Sequence, residues 1–186
     1  VKVLVACECY GVVRDAFIRS GHDAWSCDLK DSRIPGPHIK GDVIDHLNEG
    51  WDLMIGHPVC RYLCNSGVRW LEEELGRPEK MKEAVEFFNK LWNADIEMIC
   101  LENPIPHKYG LGNTYTQLIQ PFNFGHQETK ATCIWLKNLP ILMDTMTRVI
   151  RKGRIHEMTP GPMREELRGV FYPGIAWAMA DQWGNL

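Results

Sequence analysis

Trp51-Asp52-Leu53-Met54-Ile55-Gly56-His57-Pro58-Val59-Cys60 is an apolar run that stops in a turn. Short apolar runs bounded by Gly and Pro read as strands buried on both faces, the kind that parallel sheets contain. The pattern recurs over Ile96 to Leu101, which ends at Glu102-Asn103-Pro104. Between the two, Met81, Ala84, Val85, Phe87, Phe88, Leu91 and Trp92 mark a wide apolar face of a helix over 80–92. A strand, a helix and a second strand in this order imply parallel pairing.

The same alternation extends outward. Lys2 to Cys7 read as a strand, and Val12 to Ser20 as a helix closed by Gly21. A further strand spans Ala24 to Leu29, a Pro/Gly-rich loop covers Ile34 to Pro37, and Gly41-Asp42-Val43 begins another element. Ala131 to Leu136 and Ile175 to Trp183 read as a strand and a closing helix. The expected fold is α/β: a mainly parallel sheet flanked by helices, in a single domain over residues 1–186, with 144–168 a basic loop or hairpin. Ligands of such sheets collect beyond the carboxyl ends of the strands, where Cys7, Asp28, His57 and Glu102 are expected.

Composition narrows the class. At 186 residues and 45% hydrophobic content the chain can bury a substantial core, and its net charge of -3 excludes a wholly basic polyanion-coating protein. Seven cysteines, mostly inside apolar stretches, do not form a disulfide framework. There is no apolar run of about 20 residues that would cross a membrane, and the start at Val1 lacks the regions of a signal peptide. A cytoplasmic protein is expected. Neither Cys7-Glu8-Cys9 nor Cys60-Arg61-Tyr62-Leu63-Cys64 has the spacing of a structural zinc site, so no metal is expected.

Cys60 follows a strand in a turn that can hold its sulfur at the rim of the sheet, as a nucleophile needs; the plain alternative is a packing cysteine. Glu102 at the end of the neighbouring run is either functional or a capping or ion-paired carboxylate. The two types together suit a pyrimidine. Cytosine is a poor carbon nucleophile until a thiolate adds to C6, and an acid at N3 stabilises the charge that results.

The order Ala6 to Gly11, Asp28, Gly41-Asp42-Val43, Pro58-Val59-Cys60, Glu102-Asn103 resembles the DNA (cytosine-5) methyltransferase family. Gly11 to Phe17, Glu128 to Lys137 and Pro173 to Trp183 are similar to phrases in short phage and bacterial members that lack a target-recognition domain. The resemblance implies a Rossmann-like class I methyltransferase fold, DNA containing cytosine as partner, and S-adenosylmethionine as cofactor. It makes Cys60 the nucleophile and Glu102 the ring-activating acid, and it places Cys7, Glu8, Gly11, Asp28, Asp42 and Pro58 around the cofactor. Asp28 would meet the ribose and Asp42 the adenine.

The chain departs from the family's pattern in places. Its first turn has one glycine and carries Glu8, Val59 precedes the cysteine in place of proline, and Pro104 follows Glu102-Asn103. Glu8 motivates an alternative, hydroxymethylation of cytosine with methylenetetrahydrofolate. Val59 and the missing recognition domain motivate another, a catalytically degenerate DNA- or partner-binding module, while a homodimer or a recognition partner would supply target choice. Substrate contacts are expected from Arg61, Ser66, Asn103, Lys130, Arg148 and Arg151, and Arg69, Lys108 and Lys137 are further candidates at the mouth. Tyr62 and Tyr109 are placed to stack on a base, whereas Trp70, Trp92, Trp135, Trp177 and Trp183 are expected in the core.

Overall fold

The computed structural model describes residues 1–65, 75–146, 151–153 and 169–186. Ser66, Arg69, Trp70, Arg148 and most of the expected basic loop lie outside the described residues. The elements are β1 (Lys2–Ala6), α1 (Val12–Arg19), β2 (Asp23–Asp28), β3 (His38–Lys40), a 3-10 turn (Val43–His46), β4 (Leu53–Gly56), α2 (Arg77–Trp92), β5 (Met98–Pro104), β6 (Gln117–Ile119), a second 3-10 turn (Pro121–Phe124), β7 (Thr132–Lys137) and α3 (Pro173–Trp183).

Seven strands form one sheet in the order β3-β2-β1-β4-β5-β7-β6. The pairs from β3 across to β5 are parallel, and β7 lies antiparallel between β5 and β6. The fold is a mostly parallel, Rossmann-like α/β arrangement. Alternation along β1 divides the core: Val3 and Val5 face α1 and α3 with Phe17, Ile175, Met179 and Trp183, while Leu4 and Ala6 face Phe88 and Leu91 of α2. From β1 the chain first builds outward through β2 and β3, then returns to place β4 on the other side of β1. That reversal makes a topological switch point between β1 and β4, and open α/β sheets bind their ligands beyond the carboxyl ends of the strands at such a point.

Several boundaries differ from the sequence reading. β5 does not end at Leu101; it continues through Glu102 and Asn103 to Pro104, because β7 supplies partners (Ile134, Cys133 and Thr132) beyond the point where β4 stops. β3 and β6, each of 3 residues, were not anticipated, being too short to show alternation. Trp177 corrects the core expectation: it stands on the outer face of α3, 57% exposed, while Trp135 and Trp183 are buried.

α1 begins in an unusual way. Its N-cap, Gly11, adopts a left-handed conformation (φ 71°) and offers no side chain to the helix. Glu8 supplies the cap instead, its Oε1 accepting from the Val13 amide at 2.8 Å and its Oε2 from the Arg14 amide at 3.2 Å. Arg14 is itself buried. Its guanidinium donates to Ser26, Ser32 and the Pro35 carbonyl and pairs with Asp15, tying α1 to β2 and to the loop after it. Gly11 must be glycine here, since a Cβ would lie 2.5 Å from the Arg14 guanidinium.

Glu8→Ala strips the first turn of α1 of a charged acceptor in a buried place. It is expected to cost about 2 kcal/mol, read as a lower midpoint with unchanged slope in urea unfolding.

Candidate active site

The β4–β5 register decides the geometry. Gly56 pairs with Leu101, so His57 to Cys60 leave the sheet alongside Glu102 and Asn103. The His57 amide donates back to the Ala6 carbonyl at 2.9 Å, which carries the β1–β4 pairing into the turn. Buried Asn103 then donates from Nδ2 to the Pro58 carbonyl at 3.2 Å, fixing the loop against β5. Beyond it, the amides of Leu63 and Cys64 each donate to the Cys60 carbonyl at 3.0 Å, a single helical turn. The His107 amide donates to Leu63 and the Asn65 amide to Ile105, fastening this turn to the segment after β5.

Cys60 is exposed at the rim and Val59 beside it points outward, 56% exposed. The protein around the sulfur still desolvates it: burial first, then the Glu102 carboxylate and Cys64, push the thiol up to about 11 against the opposing pull of Lys130. Cys60, Glu102 and Lys130 therefore feel one another's charge. Glu102 is partly buried, with its Oε1 3.0 Å from His57 Nδ1. The His57 ring leans on Phe171 at 4.8 Å. Sequence reasoning placed His57 at a strand end without giving it a partner; a histidine opening the turn after β4, level with an acid on β5, was the available signal.

The expected cofactor residues gather at the neighbouring strand ends. Cys7 follows β1 with a positive φ of 61°. Burial pushes its thiol up to about 12, and Asp28, Cys27 and Asp42 act in the same direction, which places both carboxylates close to it. Asp28 Oδ1 accepts from the Lys30 amide at 2.9 Å and Asp42 Oδ1 from the Ile44 amide at 3.0 Å, so each also holds its own loop. Pro58 is buried. Glu8 is turned inward, only 4% exposed, with both oxygens on α1.

Other candidates scatter. Arg61 is exposed, its carbonyl accepts from Arg77, and the guanidinium groups of both approach Tyr62. Arg151 packs over Phe122 at 4.1 Å, Lys130 reaches over Tyr172 at 5.6 Å, and Lys108 over Tyr109 at 4.7 Å. Lys137 is a correction: because β7 runs antiparallel, Lys137 pairs with Ile99 at the far end from Glu102, and its Nζ donates to the Ala94 carbonyl. No group of metal-ligating side chains occurs among the described residues.

No family profile matches the chain, and no curated protein does. Solved structures do. A protein named as a DNA modification methyltransferase encoded within an E. coli prophage superposes with a TM-score of 0.52 at 14% identity, over 86% of this chain and 56% of its own. The two share a fold. The Entamoeba histolytica methyltransferase EhMeth superposes at 0.50 with 14% identity, over 82% of this chain and 57% of its own. This chain thus spans somewhat more than half the length of either neighbour. Among the described residues no helix is long and apolar enough to cross a membrane.

Because the Glu102 carboxylate raises the Cys60 thiol, Glu102→Gln should lower it. The pH dependence of iodoacetamide labelling at Cys60, followed by peptide mass spectrometry, is expected to have its midpoint near 11 in the parent protein and at lower pH in the variant.

Proposed function

We propose that the protein transfers a one-carbon group to C5 of cytosine in DNA, a methyl group from S-adenosylmethionine, through a transient bond between Cys60 and C6. The observation that carries this reading is the pairing of β4 with β5, which puts an exposed thiol and a largely buried carboxyl under each other's charge at the carboxyl ends of the strands. The methyltransferase neighbours support the transferase part of the reading, and one of them carries DNA modification in its name.

In this reading a cytosine leaves the base stack and enters between the two groups. The Cys60 sulfur adds to C6, the C5–C6 π electrons move into the ring, and a proton passes from Glu102 to N3. S-adenosylmethionine, when bound, supplies an electrophilic methyl group on sulfur. The C5–methyl bond forms as the sulfonium's methyl–sulfur bond breaks, leaving a neutral thioether; C5 then gives its proton to solvent, the C6–S bond breaks to return the Cys60 thiolate, and the N3 proton goes back to Glu102 as aromaticity returns. A thiol near 11 is a weak nucleophile at neutral pH. It gains from a protonated Glu102, which removes the charge that holds the thiol proton, and from Lys130.

The carboxylates at the ends of β2 and β3 fit this cofactor. Asp28 and Asp42, each with one oxygen committed to a backbone amide, bring the acceptors that a ribose diol and an adenine amino group require. The motive for a folate donor was the charge of Glu8 near the transferred group, and that charge is engaged at α1. Lys130 and Arg61 are the cations that would meet phosphates near the entering base.

Cys60→Ala is expected to abolish modified cytosine, measured by nucleoside mass spectrometry of DNA from cells expressing the protein; undiminished product would refute the covalent route. Asp28→Ala is expected to weaken S-adenosylhomocysteine about tenfold in calorimetric titration, and unchanged affinity removes Asp28 from the cofactor site.

A further inference from the structure

His57 stands outside the roles assigned above, yet it is the partner of Glu102 among the described residues. Both side chains are largely buried, with 12% and 19% exposure. Nε2 on the far side of the ring is buried and has no hydrogen-bond partner among the described residues. Oε1 accepts both as a carboxylate oxygen and as the carbonyl oxygen of an acid protonated on Oε2, so the proton in the contact belongs to Nδ1. A doubly protonated ring would bury an Nε2–H without an acceptor, which costs the full desolvation of that group. The ring is therefore assigned as the neutral Nδ1–H tautomer.

The ring is held from three directions. The His57 amide is bonded to β1, Pro58 behind it is fastened to Asn103 of β5, and Phe171, just before α3, packs against the ring at a tilt of 56°. A donor fixed in this way does not have to reorganise when charge appears beside it.

We propose that His57 is a positioning residue for Glu102: its Nδ1–H fixes one carboxyl oxygen so that the other faces the pyrimidine, and it steadies the carboxylate formed when the proton leaves for N3. The proposal rests on the reading of Glu102 as the ring-activating acid. Before transfer, Oε1 is the carbonyl oxygen of a neutral acid and Oε2 carries the proton. As sulfur bonds to C6, the Oε2–H bond breaks, an N3–H bond forms, and negative charge spreads onto Oε1, which already holds a donor. The Nδ1–H bond stays intact. Hydrogen bonds to a charged acceptor are roughly twice as strong as those to a neutral one, so this contact strengthens as the ring is activated.

Exchange of the C5 hydrogen tests the proposal apart from any donor. A ring activated by Cys60 and Glu102 picks up a solvent proton at C5 and releases the original hydrogen on reversal. Tritium release is to be measured from random-sequence single- and double-stranded oligonucleotides carrying C5-tritiated cytosine, without cofactor, for the parent protein, His57→Phe and His57→Asn. Phenylalanine keeps a ring against Phe171 but loses the donor; asparagine loses the ring but keeps an N–H close to the place of Nδ1. We expect His57→Phe to slow release by about tenfold to a hundredfold and His57→Asn to stay closer to the parent rate. A merely structural ring gives the reverse order, so release by His57→Phe equal to or faster than His57→Asn overturns the proposal. A parent protein that neither releases tritium nor modifies cytosine overturns the underlying reading of Cys60 and Glu102, and this one with it.

Discussion

The hydrogen bond from the Asn103 side chain to the Pro58 carbonyl closes the gap left where β4 stops and β5 runs on. It adds a tie at Pro58 between the His57 contacts with Ala6 and Glu102, which hold the start of the turn, and the bonds from His107 to Leu63 and from Asn65 to Ile105, which hold its end. With it, the turn is fastened on both sides of Pro58 by groups that belong to β1 and β5. The Cys60 sulfur thereby acquires a fixed relation to the carboxyl of Glu102, one residue before Asn103. Loops carry chemistry well only when a rigid scaffold sets their geometry.

The scaffold was legible because it rests on patterns that sequence displays well. The apolar runs at 53–56 and 98–101 and the broad helical face between them specify two parallel strands and their crossover, and the structure has them. Cys7, Asp28 and His57 lie at the carboxyl ends of β1, β2 and β4 for the same reason. Glu102 was expected after a strand and lies within one, since the extension of β5 depends on β7, a partner more than 25 residues away. Pairing at that distance leaves no local mark. β3 and β6 were missed on similar grounds, being defined by their neighbours and not by their own alternation.

Buried charge was the other thing the sequence concealed. Arg14 falls among Val12, Val13, Ala16 and Phe17, and by periodicity alone a charged residue there belongs to a solvated face. It is fully buried because the loop after β2 folds back over α1 and offers it the Ser32 hydroxyl and the Pro35 carbonyl. The His57–Glu102 pair escaped notice likewise: each residue read singly as a strand-end group, and only the sheet register brings them to 3.0 Å. Lys137 shows the converse error, a cation assigned by its closeness in sequence to a motif when strand direction carries it to the opposite edge.

The placement of Glu8 also limits which molecules the strand ends can welcome. In many nucleotide-binding sheets the exposed amides and partial positive charge at the start of the first helix form a seat for a pyrophosphate. Here an internal carboxylate fills that seat, occupying the amides of Val13 and Arg14. A dinucleotide would bring its negative charge against one already present. A ligand whose centre is positively charged meets no such repulsion, so the opening turn, by filling the anion site from within, disfavours a phosphate there and does not oppose the proposed sulfonium.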